Sequence, residues 1–247
     1  MRSPPHSRLL PVPATQVGDP CDTRDTVLEI VFPEAGKVRA RTVVSRSKSR
    51  ETGKHPSWKT GRMVQWESPA ERDVFLLLDA DPQVRTYYEQ PVAIRYTLNG
   101  EVHTHFPDVL VEKASARELW EVKYASDAVD PFMRARTTLL ERLLPKWGFT
   151  YRLVLAEELA RQPRLSNVRT LLKYGRNPVS ELERERLRRL LLVAPSIRWD
   201  AALNGALGPR GAAIVCRLTL EGVLSLDLEQ PLRPDSQFRL SSARTGD

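Results

Sequence analysis

Residues 106–123 read FPDVLVEKASARELWEVK, and their reading decides the fold class. Two runs rich in Val, Leu, Phe and Trp flank the turn-forming KASAR, which predicts two neighbouring strands. One run carries Asp108, the other Glu121 and Lys123. Buried charge is costly unless it is paired or holds a metal. These residues are therefore either a structural ion pair or part of a site. In a strand, residues two apart share a face, so Glu121 and Lys123 project together while Trp120 and Val122 point the other way.

Working outward, VRTYYEQPVAIRYTL (84–98) reads as a strand that meets Asn99-Gly100, a hairpin-turn signal, and EVHTHFPDVLVE returns as the next strand. Upstream, Ser68 is a helix N-cap and Pro69 suits the first helical position, which predicts a helix over about residues 69–79. Asp130-Pro131 opens a second helix to about Trp147, with Phe132, Leu139, Leu140, Leu143 and Trp147 on one stripe. FTYRLVLA (149–156) is a further strand, with helical pieces near LAEELA and NVRTLLKYG. Helix, three strands, helix and strand make a mixed α/β domain, expected over residues 26–175. Residues 1–25, with five prolines, read as a disordered tail. From 176 to 247 the texture changes. SELERERLRRLLLV is a helix with its own capping box, SIRWDAALNGAL and GAAIVCRLTLEG read as two shorter helices, and VLSLDLEQPLRPDSQFRL alternates like a β-ribbon. Three helices and a ribbon are the layout of a small winged-helix domain.

The chain of 247 residues is 41% hydrophobic, enough for a core in each part. It has no run of eighteen apolar residues, and MRSPPHSRLLPVPATQ lacks the apolar segment of a secretion signal, so the expected location is cytoplasmic with no membrane partner. Cys21 and Cys216 give neither a disulfide framework nor a thiolate metal site, and the four histidines have no zinc-ligand spacing with them. Residues 37–62 hold nine Lys or Arg against the single acid Glu51, a net of +8 against +7 for the whole chain. The remainder is close to neutral. Arg46, Lys48, Arg50, Lys54, Lys59 and Arg62, interleaved with Ser, Thr and Gly, are candidate phosphate contacts, because such residues neutralise phosphates and release counterions. A solvated basic loop is the bland alternative.

Two carboxylates beside a lysine suit phosphodiester hydrolysis, supplying hard oxygen ligands for Mg²⁺ and a cation to position water. Without context, Asp108, Glu121 and Lys123 read more economically as a cross-strand salt bridge. Glu71 shifts the balance. It completes a capping box with Ser68, yet Glu71, Val74, Phe75 and Leu78 follow the i, i+3, i+4, i+7 rule, which puts its carboxylate on the core-facing stripe. Packed on the sheet, that helix would bring a third acid toward Asp108 and Glu121. Glu67 is the competing candidate.

The order of a helical Glu, then Pro107-Asp108, then Glu121-Val122-Lys123 resembles the PD-(D/E)xK nuclease superfamily. More narrowly, residues 37–155 resemble the amino-terminal catalytic domain of TnsA-type endonuclease subunits of heteromeric transposases, through Pro56-Ser57, Lys59, Arg62, Glu67-Ser68, Glu71, Asp81-Pro82, Glu89-Gln90-Pro91, Pro107-Asp108 and Glu121-Val122-Lys123. The resemblance implies a restriction-endonuclease-like mixed sheet flanked by helices, followed by the winged-helix domain. It implies that Asp108, Glu121 and Glu71 hold Mg²⁺, with Mn²⁺ as a substitute, and that Lys123 orients the nucleophilic water. It also implies double-stranded DNA at transposon ends as substrate, nicked on the strands that end five-prime. The implied partners are a DDE-type transposase subunit (TnsB-like) and a AAA+ regulator ATPase (TnsC-like). A stand-alone restriction or repair nuclease and a non-catalytic DNA-binding adaptor are the alternatives.

Overall fold

The computed structural model describes residues 25–35, 37, 39–40 and 51–241, and the backbone of Gln16–Val17. The chain divides into two units, Met1–Phe75 with Val84–Leu159, and Leu76–Gln83 with Ala160–Asp247.

The first unit contains β1 (Gln16–Val17), β2 (Val27–Val31), β3 (Gly53–Pro56), β4 (Met63–Trp66) and the first turns of α1 (Pro69–Ala80). There follow β5 (Val84–Glu89), β6 (Ala93–Leu98), β7 (Glu101–His105), β8 (Val109–Lys113) and β9 (Arg117–Lys123). The unit ends with α2 (Ala125–Ala128), α3 (Pro131–Leu143), β10 (Thr150–Leu155) and α4 (Ala156–Leu159). Its strands form two four-stranded sheets, ordered β1-β2-β6-β7 and β10-β9-β8-β5, and the hairpin β3-β4.

The hairpin centred on Asn99-Gly100 forms as the turn chemistry predicts, both residues having positive φ. Asp25 accepts a hydrogen bond from the Asn99 amide at 2.8 Å, which ties the chain before β2 to this turn. The arms of the hairpin are not single strands, however. VRTYYEQPVAIRYTL breaks at Gln90-Pro91-Val92, and EVHTHFPDVLVE breaks at Phe106-Pro107-Asp108. Pro91 and Pro107 donate no ladder hydrogen bond, and Gln90 adopts φ 44°, a left-handed conformation that ends regular pairing. Glu89 pairs with Val109 below the break and Ile94 with His105 above it. The two arms therefore change sheet at the same level, and Asp108 stands at the crease.

Strand β10 runs parallel to β9, with Leu153 opposite Glu121 and Leu155 opposite Lys123. Parallel neighbours need a long crossover, here α2 and α3. Asp130 caps α3 by accepting from the Met133 amide at 2.8 Å, as Asp130-Pro131 predicts. The helix ends at Leu143, and a 3₁₀ turn over Leu144–Trp147 replaces the expected last turn, with Pro145 unable to donate. Leu139 and Leu140 are buried as expected, but Phe132 is 41% exposed and lies against His103 instead of the core. Ile30, Ile94, Tyr96, Leu110, Leu119, Leu140 and Leu144 are at the centre of the hydrophobic core.

Four strands stand before α1, where none is expected. VLEIV at 27–31 forms β2, and the expected tail contributes β1, whose Gln16 and Val17 pair with Ile30 and Glu29. The basic segment contains the β3-β4 hairpin, while Arg46, Lys48 and Arg50 lie outside the described residues.

In the second unit, α5 (Arg164–Gly175) precedes α6 (Glu181–Val193), β11 (Ser196–Arg198), α7 (Trp199–Leu203), α8 (Gly211–Leu220), β12 (Leu224–Ser225) and β13 (Gln237–Leu240). Helix α5, expected with the first domain, belongs here because it lies against α8. A Cβ on Gly175 would come 2.8 Å from the Arg217 amide nitrogen, so glycine permits the approach. The Ser180–Glu183 capping box is present. SIR forms a strand instead of opening a helix, because Ile197 pairs with Phe238 of β13. The sheet order is β11-β13-β12. Among the described residues, no helix is long and apolar enough to cross a membrane.

Next to the crease, the buried Glu89 carboxylate is gripped by both terminal nitrogens of Arg62, one at 2.7 Å, with Arg39 Nε 3.6 Å away. Removing one partner of a buried pair leaves an uncompensated charge worth about 3–5 kcal/mol. Arg62→Met should therefore lower Tm by about 6–20 °C, at ~2–4 °C per kcal/mol, read by thermal denaturation. A Tm within a degree of the parent protein would contradict this account of the crease.

Candidate active site

The crease, the start of α1 and the end of β9 surround a cleft of about 770 Å³ lined by Glu67, Glu71, Gln90, His105, Asp108, Glu121 and Lys123, among others. The four residues singled out by sequence thus face one space.

Asp108 is fixed by the sheet. Its amide donates to Trp120 O at 2.9 Å, its carbonyl accepts from the Gln90 amide at 2.8 Å, and its Oδ2 accepts from the Val122 amide at 2.7 Å. Burial raises its pKa well above the ordinary carboxylate value, and the charges of Glu121 and Glu71 add to the rise, opposed by Lys123 and the Val122 N–H.

Glu121 is 3% exposed. Its Oε1 accepts from Lys123 Nζ at 2.9 Å and from Arg136 Nη2 at 3.1 Å. Its Oε2 lies 3.3 Å from His105 Nε2, yet it is a buried oxygen with no hydrogen-bond partner. His105 Nε2 is 3.0 Å from the Tyr151 hydroxyl. Burial lowers the His105 pKa well below its usual value, with Arg136 and Lys123 contributing, so the imidazole is neutral at pH 7. The Lys123 pKa is pulled down by burial, but Glu121 and Asp108 together outweigh this and raise it, so the lysine stays charged. Glu121 and Lys123 form an ion pair within β9, not the cross-strand pair expected as the bland alternative.

Glu71 caps the start of α1 with Ser68, as its spacing predicts. Its amide donates to Ser68 Oγ at 3.2 Å, and its carboxylate accepts from the Glu67 amide at 2.9 Å and from Ser68 Oγ at 3.3 Å. It also lines the cleft, and burial raises its pKa. Glu67, the competing acid, accepts from Gln90 Nε2 at 3.1 Å.

Three residues escaped the sequence reading. Arg136 stands four residues after Phe132 and four before Leu140, a polar residue on an apolar helical stripe, which is the same signal that singled out Glu71. His105 alternates with His103 on β7, two and three positions short of Pro107 and Asp108. Tyr151 had no local signal; its place on β10 comes from the parallel pairing with β9. Of the expected DNA contacts, Arg62 is engaged by Glu89 and Lys59 Nζ donates to Val84 O at 2.8 Å, while Lys54 is exposed.

Among the described residues, no group of three His, Cys, Asp or Glu side chains converges closely enough to hold a metal ion by itself. The donor set nevertheless fits a hard divalent cation. Glu121 Oε2 lacks a hydrogen-bond partner, and Asp108 sits beside other acids whose repulsion a cation would relieve. Mg²⁺ commonly takes one or two carboxylates and fills its other positions with water and substrate phosphate oxygens.

Residues 81–158 match the family described as TnsA-like endonuclease N terminal. The match takes in Asp108, Glu121, Lys123 and Arg136 and leaves Glu71 and the basic segment outside it. It supports a TnsA-type endonuclease of the PD-(D/E)xK superfamily. No curated protein matches the chain.

The raised Asp108 pKa has a consequence for stability. Between the unfolded and folded pKa values the native state binds the extra proton, so stability falls as pH rises through that window and the penalty persists above it. Asp108→Asn removes the charge and can still accept from Val122. In chelator, its Tm should exceed that of the parent by about 2–4 °C at pH 8, as ~1 kcal/mol would give, and the gain should shrink as pH is lowered toward 5. An equal or lower Tm at pH 8 would contradict the charge repulsion.

Proposed function

With a TnsA-like endonuclease domain as the premise, we propose that the protein is the Mg²⁺-dependent DNA endonuclease subunit of a heteromeric transposase, cutting the strands that end five-prime at the transposon tips. The single observation that carries this reading is the meeting of Asp108, Glu121, Lys123 and Glu71 in one cleft on a chain whose residues 81–158 match that family. The expected partners, a DDE-type transposase and a AAA+ regulator, follow from the family's mode of work and are part of the proposal.

In this reading Asp108 and Glu121 hold the divalent cation, Mg²⁺ or in its stead Mn²⁺, with Glu71 the third acid beside them. The cation, when bound, neutralises phosphodiester charge and makes water more acidic. Asp108 is oriented for this by the Val122 N–H, which fixes one carboxylate oxygen and leaves the other uncommitted. Lys123 Nζ, charged and on the cleft wall, orients the attacking water or steadies the charge that builds on the phosphate. Neutral His105 cannot add positive charge, but it bounds the cleft behind Glu121 Oε2. Lys54 and the arm with Arg46, Lys48 and Arg50 supply phosphate contacts. Residues 176–247 are read as a winged-helix-like module from α6, α7 and α8 with the three-stranded sheet.

The test is reconstituted cleavage of a duplex bearing transposon ends, with a DDE-type partner and Mg²⁺. Asp108→Ala and Lys123→Ala should each lower five-prime-strand nicking by at least about 10²-fold, the scale of a lost electrostatic group, and leave the partner's cuts intact. Unchanged nicking would reject the site. Efficient cutting without any partner would favour a stand-alone nuclease.

A further inference from the structure

Glu121 Oε1 is shared by two cations that approach from different sides. Lys123 lines the cleft, whereas Arg136 does not and reaches Glu121 from α3 with its side chain 13% exposed. Glu121 and Glu71 act on Asp108 together with Lys123, while Glu51, Glu67 and Asp127 also line the cleft and His105 is neutral. A lysine that is the sole counter-ion of a buried carboxylate cannot leave it without stranding a charge, at a cost of several kcal/mol. Arg136 removes that obstacle, because Glu121 stays paired when Lys123 swings away. Two nitrogens on Oε1 also leave Oε2 as the oxygen without a hydrogen-bond partner, and that oxygen faces His105.

We propose that Arg136 is a positioning residue: from α3 it holds Glu121 Oε1 and so frees Lys123 Nζ for the substrate. This rests on the metal-dependent nuclease reading above. Arg136 touches neither substrate nor cation, and acts through Glu121. Its planar fork suits a fixed carboxylate, and Lys123's flexible stem suits a group that must change partners.

The test is a double-mutant cycle on the full chain, Arg136→Met against Lys123→Met, in the reconstituted cleavage reaction, with a calorimetric Mn²⁺ titration of each variant in the absence of DNA. Arg136→Met should lower kcat by about 10- to 100-fold, as loss of a group orienting a ligand does, with KM for DNA unchanged. It should bind Mn²⁺ at least as tightly as the parent, because a positive charge has gone. The double variant should be no slower than Lys123→Met alone, since no lysine is left to release. Additive losses, or Mn²⁺ binding weakened tenfold or more, would overturn the proposal and reduce Arg136 to a structural ion pair. If Arg136→Met fails to fold, Arg136→Lys decides: it should keep more than a tenth of the parent kcat, and less overturns the proposal. Absence of Mg²⁺-dependent cleavage by the parent protein would instead sink the nuclease reading.

Discussion

A carboxylate 3% exposed, such as Glu121, persists in a fold only if its charge is answered nearby. Much of the first unit is arranged around that requirement. Strand β9 carries Glu121 and Lys123 on one face, the crossover helix α3 returns Arg136 to the same carboxylate, and β10 brings Tyr151 to His105 behind it. The parallel pairing of β9 with β10 requires that crossover, so the topology that closes the sheet also delivers the second cation. One oxygen of Glu121 is thereby saturated and the other left bare.

The second constraint is the crease in the long hairpin. Pro91 and Pro107 fall in the facing breaks of the two arms, joined by the Gln90 amide to Asp108 carbonyl hydrogen bond, and Gln90 is left-handed at the same level. Without the break, residues 84–113 would form one flat two-stranded ribbon, with Asp108 in the middle of a regular ladder. With it, Asp108 ends one sheet and His105 ends the other, so both face the cleft together with Gln90. Glu89 at the fold line is the cost of the turn, and the Arg62 fork answers it. Arg62 and Lys59 illustrate how a basic run divides: both serve the fold, through Glu89 and the Val84 carbonyl, whereas Lys54 is exposed.

Much of this was legible in the sequence. The helix starts at Pro69 and Pro131, the Asn99-Gly100 turn and the strand pair 109–123 follow from local chemistry, and the i, i+3, i+4 spacing put Glu71 on the correct face. The split of each hairpin arm between two sheets was written in Pro91 and Pro107, but the alternation of apolar residues runs through both and masks the break. Tyr151 could not be found from its neighbours, because its role depends on a parallel register set by the crossover over residues 124–149. Arg136 was within reach, since an arginine on the i±4 stripe with Phe132 and Leu140 repeats the signal that marked Glu71. The boundary between the two units was misread because nothing local says that the glycine ending α5 allows a close approach to α8.

The central claim is that Asp108 and Glu121 form the cation site of a nuclease. The most direct measurement is anomalous diffraction from crystals of the protein grown with Mn²⁺ and a short DNA duplex. The account predicts an anomalous peak at coordination distance, about 2.1 Å, from one Asp108 oxygen and from Glu121 Oε2, with phosphate oxygen and water in the other positions and Arg136 still on Oε1. Ordered duplex with no Mn²⁺ between those two carboxylates, or Mn²⁺ held elsewhere in the cleft, would contradict it.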